Sequence, residues 1–201
     1  MSTPEPTTAE AFDEALRAGD DDRRWELISH LHRHGGREAV EIAARSAGHP
    51  DPARRLLAAD VLGQFRPFRE EALTLLLTMV RDESDPDVLH AITVGFGHIG
   101  DERSLAPLIS LHTHPDAGVR RGVAFGLLGR PEAAALDALI TLSADVDARV
   151  RDWATFGLAR QTDADFPRLR DALAARLDDD DPDTRAEAVE GLLLRGVEVS
   201  R

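Results

Sequence analysis

DARVRDWATFGLA, residues 147–159, reads as one amphipathic helix that opens on an aspartate and keeps its small and apolar residues on one side. Nearly the same stretch occurs as DAGVRRGVAFGLL at 116–128 and as DPDTRAEAVEGLL at 181–193. Self-similarity of this kind decides an architecture before local propensity does. The opening aspartates of the copies are Asp20, Asp51, Asp85, Asp116, Asp147 and Asp181, spaced by 31, 34, 31, 31 and 34 residues. Four residues after each stand Arg24, Arg55, Leu89, Arg120, Arg151 and Arg185. Seven after stand Leu27, Ala58, Ile92, Val123, Ala154 and Ala188. Ten after come His30, Val61, Gly95, Gly126, Gly157 and Gly191; eleven after come Leu31, Leu62, Phe96, Leu127, Leu158 and Leu192. Offsets of seven, ten and eleven fall on one helical face, so each copy turns a small or apolar face the same way.

Three anchors precede proline: Pro52, Pro86 and Pro182. Aspartate then proline is an N-cap followed by a first-turn residue that needs no amide proton. Gly35, Gly63, Gly97 or Gly100, and Gly129 stand where each first helix is expected to stop. A second helix is expected after each first one, over 37–46, 69–81, 103–112, 132–142 and 167–177. Leu73/Leu76/Leu77, Leu105/Leu108/Ile109 and Leu136/Leu139/Ile140 provide apolar stripes. A helix–turn–helix unit of 31 to 34 residues cannot bury such a stripe alone; stacked neighbours bury it. Residues 9–18 read as an N-terminal capping helix, and the last copy supplies only its first helix, 181–195. The expected organisation is a disordered tail over 1–8 and a single repeat domain over 9–201. That domain is all-α, with about five hairpins plus terminal capping helices.

Composition bounds the chemistry. The chain has 201 residues, is 42% hydrophobic and 30% charged, and contains no cysteine or tyrosine. That balance fits a packed domain rather than a disordered chain. Disulfides and thiolate chemistry are excluded. Lysine and asparagine are absent as well, and all 24 basic side chains are arginine, the mark of a high-GC, bacterial coding sequence. No lysine is present to form a Schiff base. MSTPEPTTAEAF lacks a basic and apolar leader pattern, so a cytoplasmic location is expected. The net charge of −13 is shared evenly, with 18 acids and 11 arginines in residues 1–100 and 19 and 13 in the rest. Nucleic-acid binding needs clustered cations, so the acidity favours a basic protein partner over a phosphate backbone. No run is long enough to span a membrane.

The pattern D-P-x-x-x-R-x-x-A-x-x-G-L, seen in Asp181, Pro182, Arg185, Ala188, Gly191 and Leu192, resembles HEAT repeats. More narrowly it resembles the short bacterial HEAT-like repeats of the phycobilisome-lyase type. The resemblance runs from Asp20 to Gly196. Neither the large aromatics of tetratricopeptide units nor the T-P-L-H signature of ankyrin is present. The resemblance implies a right-handed α-solenoid whose second helices line a concave, partner-binding face. It also implies that the recurrent Asp and Arg residues form a structural ladder setting the stacking register: Asp51 and Arg55, Asp116 and Arg120, Asp147 and Arg151, Asp181 and Arg185. The competing reading of those arginines is a phosphate-binding track.

No catalytic residue is assigned. No nucleophile motif or phosphate loop occurs, and GFGHIG at 95–100 sits inside a helical repeat rather than after a strand. His30 and His34 lie one helical turn apart, His112 and His114 two residues apart, and His90 and His98 in the neighbouring copy. HExxH is absent, and no histidine precedes a glutamate as in HEAT-type di-iron hydroxylases. His30 falls at a core-facing offset, so no metal and no cofactor are expected. The run DDDDPD at 178–183 lacks a calcium-loop pattern and reads as a solvated turn with an N-cap. Phe125 and Phe156 share one offset in adjacent copies and are expected to stack. Trp153 is read as inter-helix packing or as a binding hot spot.

Aligning the second helices puts Thr78, Ser110 and Thr141 in one column, Glu71 and Arg103 in another, and Thr74 and Asp137 in a third. These residues form the candidate partner groove. The reading is therefore a non-catalytic interaction scaffold or adaptor. The alternative is an enzyme, resembling HEAT-like alkylpurine DNA glycosylases or bilin lyases, with adjacent Asp152 and Trp153 as its only hint.

Overall fold

The computed structural model describes residues 5–199. Among them the backbone forms twelve α-helices, two short 3-10 turns and no strand. The helices are α1 (Thr8–Arg17), α2 (Asp21–His34), α3 (Gly36–Ser46), α4 (Pro52–Gly63), α5 (Arg69–Asp82) and α6 (Pro86–Ile99). They continue as α7 (Leu105–Leu111), α8 (Ala117–Gly126), α9 (Ala133–Leu142), α10 (Ala148–Arg160), α11 (Pro167–Ala174) and α12 (Pro182–Leu194). The even-numbered helices are the first helices of the repeats. The odd-numbered helices from α3 onward are the second ones. Helix α1 is the capping helix; it opens at Thr8, inside the stretch expected to be tail. The first four residues of that tail lie outside the described residues.

The array groups into two compact units, one ending at Gly100 and the other starting at Asp101. In the first, α1 covers α2 and α3 with Ala11, Phe12 and Ala15. Helix α4 packs on α3, α5 and α6. Ile28, Leu31, Leu57, Leu62, Leu73, Leu76, Ile92 and Phe96 are sealed from solvent between them. In the second, α10 is packed between α8 and α12, with α9 and α11 against it. Val123, Leu139, Val150, Leu158, Leu169, Leu173 and Leu192 form that core.

All six anchor aspartates are helix N-caps. Asp20 accepts from Arg23 N, Asp51 from Ala53 N, Asp85 from Asp87 N and Val88 N, and Asp116 from Val119 N. Asp147 accepts from Arg149 N and Val150 N, and Asp181 from Thr184 N. Each carboxylate satisfies amides that have no partner within the helix and opposes the helix dipole. Asp147→Ala is therefore expected to cost about 1 kcal/mol. It should appear as a lower urea midpoint at an unchanged slope; an unchanged midpoint would mean the cap contributes nothing.

The small residues ten after the anchor have a packing reason. A Cβ on Gly95 would stand 2.9 Å from Gly63 Cα, and one on Gly191 would stand 2.8 Å from Ala159 Cβ. A Cβ on Gly157 would meet Leu128 at 3.0 Å. Gly63, Leu128 and Ala159 each lie twelve after their own anchors, so each glycine packs on the end of the preceding first helix or on the residues just beyond it. Helix α4 ends at Gly63 as expected, whereas Gly97 lies inside α6. The stop of α6 is Gly100, left-handed at φ 65°, and Gly129, φ 69°, follows α8.

Candidate partner-binding surface

The polar positions picked out on the second helices are accessible. Thr74, Thr78, Arg103, Ser110, Asp137 and Thr141 are exposed and Glu71 is half-buried. Glu71, Thr74 and Thr78 stand on α5 in the first unit. Arg103 (in the 3-10 turn before α7), Ser110, Asp137 and Thr141 belong to the second. Their hydroxyl protons are used locally: Thr74 donates to Glu70 O (2.9 Å), Thr78 to Thr74 O (2.9 Å), Ser110 to Pro107 O (2.7 Å) and Thr141 to Asp137 O (3.0 Å). The oxygens keep acceptor capacity toward solvent. The charged members are paired sideways. Arg37 reaches Glu71 at 3.3 Å, Arg168 reaches Asp137 at 2.6 Å, and Arg103 grips Asp101 at 2.8 and 3.0 Å.

Thr78 also lines a groove of about 590 Å³ in the first unit. Ala44, Leu75 and Met79 are among its apolar lining residues, and Asp82, Glu83 and Arg55 among its charged ones. An apolar hollow with a few polar groups at the rim is the usual form of a binding pocket.

The arginine ladder is present in each unit, and its carboxylates are not the anchors. Arg55 binds both oxygens of Glu83 at 2.7 and 2.9 Å. Arg120 binds Asp145 at 2.6 and 2.8 Å, and Arg151 binds Asp179 at 2.8 Å twice. Each of these acids sits two residues before the next anchor and also accepts that anchor's amide. The third nitrogen of each fork reaches back to two carbonyls just ahead of its own helix: His49 and Pro50 for Arg55, His114 and Pro115 for Arg120, Asp145 and Val146 for Arg151. Arg185 donates to Asp179 O. The ladder thus joins a helix start, the loop before it and the loop after it, which occupies the guanidinium groups of Arg55, Arg120 and Arg151.

Asp179 is held below the ordinary carboxylate range by Arg151 first, against its own burial. Burial pushes Glu83 and Asp145 up, but Arg55 and Arg120 together with backbone amides outweigh it and hold both low. Asp179 is buried, which departs from the solvated turn expected of its run, while Asp178, Asp180 and Asp183 are exposed. Where the residue two before the anchor is His49 or His114, the ring Nδ1 accepts the anchor amide instead. Arg24 departs from the pattern and pairs with Asp60 at 2.5 Å. Burial raises that carboxyl despite Arg24 and His90.

Trp153 is half-buried, edge-on to Phe125 at 5.4 Å and to Phe156 at 6.0 Å. The two phenylalanines are thus bridged by the indole. Asp152 beside it is half-buried and raised by burial and by Asp181, Asp183 and Glu187. Two arginines escaped the sequence reading. Arg130 and Arg195, each fourteen after an anchor, aim their guanidinium groups at carbonyls: Asp101 O for Arg130; Leu158, Ala159, Thr162 and Ala164 O for Arg195. Their common offset was the available signal. Among the described residues, one group of three potential metal ligands converges: Glu5, His30 and His34. Helical spacing reveals the two histidines; Glu5 arrives from the segment ahead of α1.

A family model described as HEAT repeats matches residues 9–96 and 83–159. Among solved structures, YibA of E. coli is 20% identical, with 97% of this chain and 77% of that one covered at a TM-score of 0.73. The CpcE–CpcF complex of phycocyanin lyase from Nostoc is 19% identical, covering 96% and 78%, TM-score 0.58. A designed armadillo repeat protein in complex with the peptide (KR)4 is 14% identical, covering 90% and 97%, TM-score 0.56. Comparison with curated protein sequences gives no match. No helix among the described residues is long and apolar enough to cross a membrane. With six capped copies of one helix, a shared close-packing offset and a family match over most of its length, the chain belongs to the HEAT-repeat family.

Proposed function

We propose that the protein is a non-catalytic interaction module that receives a basic segment of a partner protein on its second-helix face, in a bacterial cytoplasm. The observation that carries this reading is the groove beside Thr78, lined by Ala44, Leu75 and Met79 for an apolar side chain or stem and by the exposed Asp82 for a cation. The net charge of −13, shared by both halves, supplies long-range attraction for such a segment. Similar folds accept basic peptides: the designed armadillo relative is seen with (KR)4. Glu71 and Asp137 have their neighbours Arg37 and Arg168 as exposed partners, which an incoming arginine could displace at small cost because such surface pairs are weak.

The enzyme reading finds less support. The carboxylates around Asp152 and Trp153 repel the phosphates that a DNA glycosylase must hold.

The test is capture from host lysate with the wild-type chain and with Thr78→Arg/Ser110→Arg/Thr141→Arg, read by mass spectrometry. One stoichiometric protein, lost by tenfold or more with the triple variant, supports the reading. A partner retained by the variant excludes this face.

A further inference from the structure

We propose that Glu5, His30 and His34 form a binding site for a divalent transition-metal ion of the zinc class. One potential ligand atom from each residue lies within 4.8 Å of the other two. His30 and His34 are four residues apart on α2 with ring centroids 4.9 Å apart, so the helix itself holds two imidazoles side by side. The third ligand is delivered by the segment before α1, and that segment is pinned from both sides. His30 Nε2 lies 3.1 Å from Pro6 O. Thr7 then starts α1 through a capping box, its amide donating to Glu10 at 2.9 Å and its hydroxyl accepting from Glu10 N at 3.3 Å. Glu5 is thus one residue from a fixed point.

The donor set chooses the ion. Two imidazoles and one carboxylate suit zinc, copper or nickel, whereas calcium and magnesium demand an oxygen cage. Zinc–ligand bonds of about 2.0–2.2 Å place tetrahedral donors some 3.4 Å apart. Glu5 and His34 are exposed, so small side-chain rotations close the remaining gap without disturbing the core. Three protein ligands leave the fourth position to water. An ion bound there would tie the start of the chain to α2 and stabilise the first unit by linkage.

The experiment is calorimetric titration of the chelator-stripped full chain with zinc chloride, with thermal melting beside it. The expected result is one tight site per chain and a zinc-dependent rise in melting temperature. His34→Asn should abolish that site and Glu5→Gln should weaken it by about tenfold or more. Both residues are exposed, so circular dichroism of the variants should match the wild type. Tight binding that survives His34→Asn, or is equal in Glu5→Gln, overturns the three-residue site. Absence of zinc binding overturns it outright, and calcium binding as tight as zinc overturns the choice of ion.

Discussion

Gly95→Val is expected to destabilise the first unit by about 3 kcal/mol, the upper end for overpacking in a core. Overpacked cores usually relax by moving side chains, and here the nearest obstacle is backbone. A Cβ on Gly95 would lie 2.9 Å from Gly63 Cα and 3.2 Å from Leu76 Cδ1, and the reciprocal Cβ on Gly63 would lie 2.8 Å from Gly95 Cα. Valine adds two further carbons, so α4 and α6 must separate. That separation loosens a core in which Leu62, Leu76 and Phe96 are all fully buried. A loss of this size is a large share of an ordinary domain's stability. Gly48→Ala is the control: nothing lies within 4 Å of its Cβ position, so its effect should stay within about 0.5 kcal/mol. Urea denaturation followed by circular dichroism reads both. Equal midpoints for Gly95→Val and wild type would mean that the two helices do not touch through these glycines.

The glycine column shows what the sequence discloses and what it withholds. Its recurrence ten after four of the six anchors marked a small inward face, which was enough to predict stacked helices. The residue it packs against, twelve after the preceding anchor, is Gly63, Leu128 or Ala159, three apolar types of very different size. No pattern search would pair them. The anchors were legible because capping is local: an aspartate and the next turn of its own helix lie within three residues. The arginine partners were harder to see. Glu83, Asp145 and Asp179 differ in type, occupy loops, and alternate with His49 and His114 at the same offset, so proximity created in three dimensions leaves only a broken sequence signal. The candidate groove divides in the same way. Amphipathic patterning placed Thr74, Thr78, Ser110 and Thr141 on the exposed side, but it could not show that Glu71 and Asp137 meet arginines 34 and 31 residues away. Glu5 beside His30 and His34 is the extreme case, since its approach depends on how the chain enters α1.

Arg120→Ala is expected to cost about 3 kcal/mol at neutral pH, because it strands a buried carboxylate rather than breaking a surface pair. The Arg120 and Asp145 side chains are 11% and 8% exposed. The fork makes two bonds to Asp145 and two to the carbonyls of His114 and Pro115, both 2.9 Å, so alanine removes four hydrogen bonds at once. Asp145 would keep its bond from the Asp147 amide and the more distant charge of Arg151. Arg120→Lys keeps the charge but not the planar fork and should fall between. Arg168→Ala, which breaks a pair 60% and 55% exposed, should change stability by less than about 1 kcal/mol. Acidity separates a charge effect from lost packing. Asp145 is held below its ordinary value in the folded chain, so its contribution is complete above the unfolded carboxylate range, about 4, and disappears as pH falls through the lower folded value. The gap in melting temperature between wild type and Arg120→Ala should therefore be widest near neutrality and narrow below about pH 4. A gap independent of pH would assign the loss to packing of the arginine stem, and no gap at neutral pH would remove the ladder from the account of stability. Partner capture should survive Arg120→Ala while the chain stays folded, because Arg120 lies outside the groove at Thr78 and meets no residue of the second-helix face.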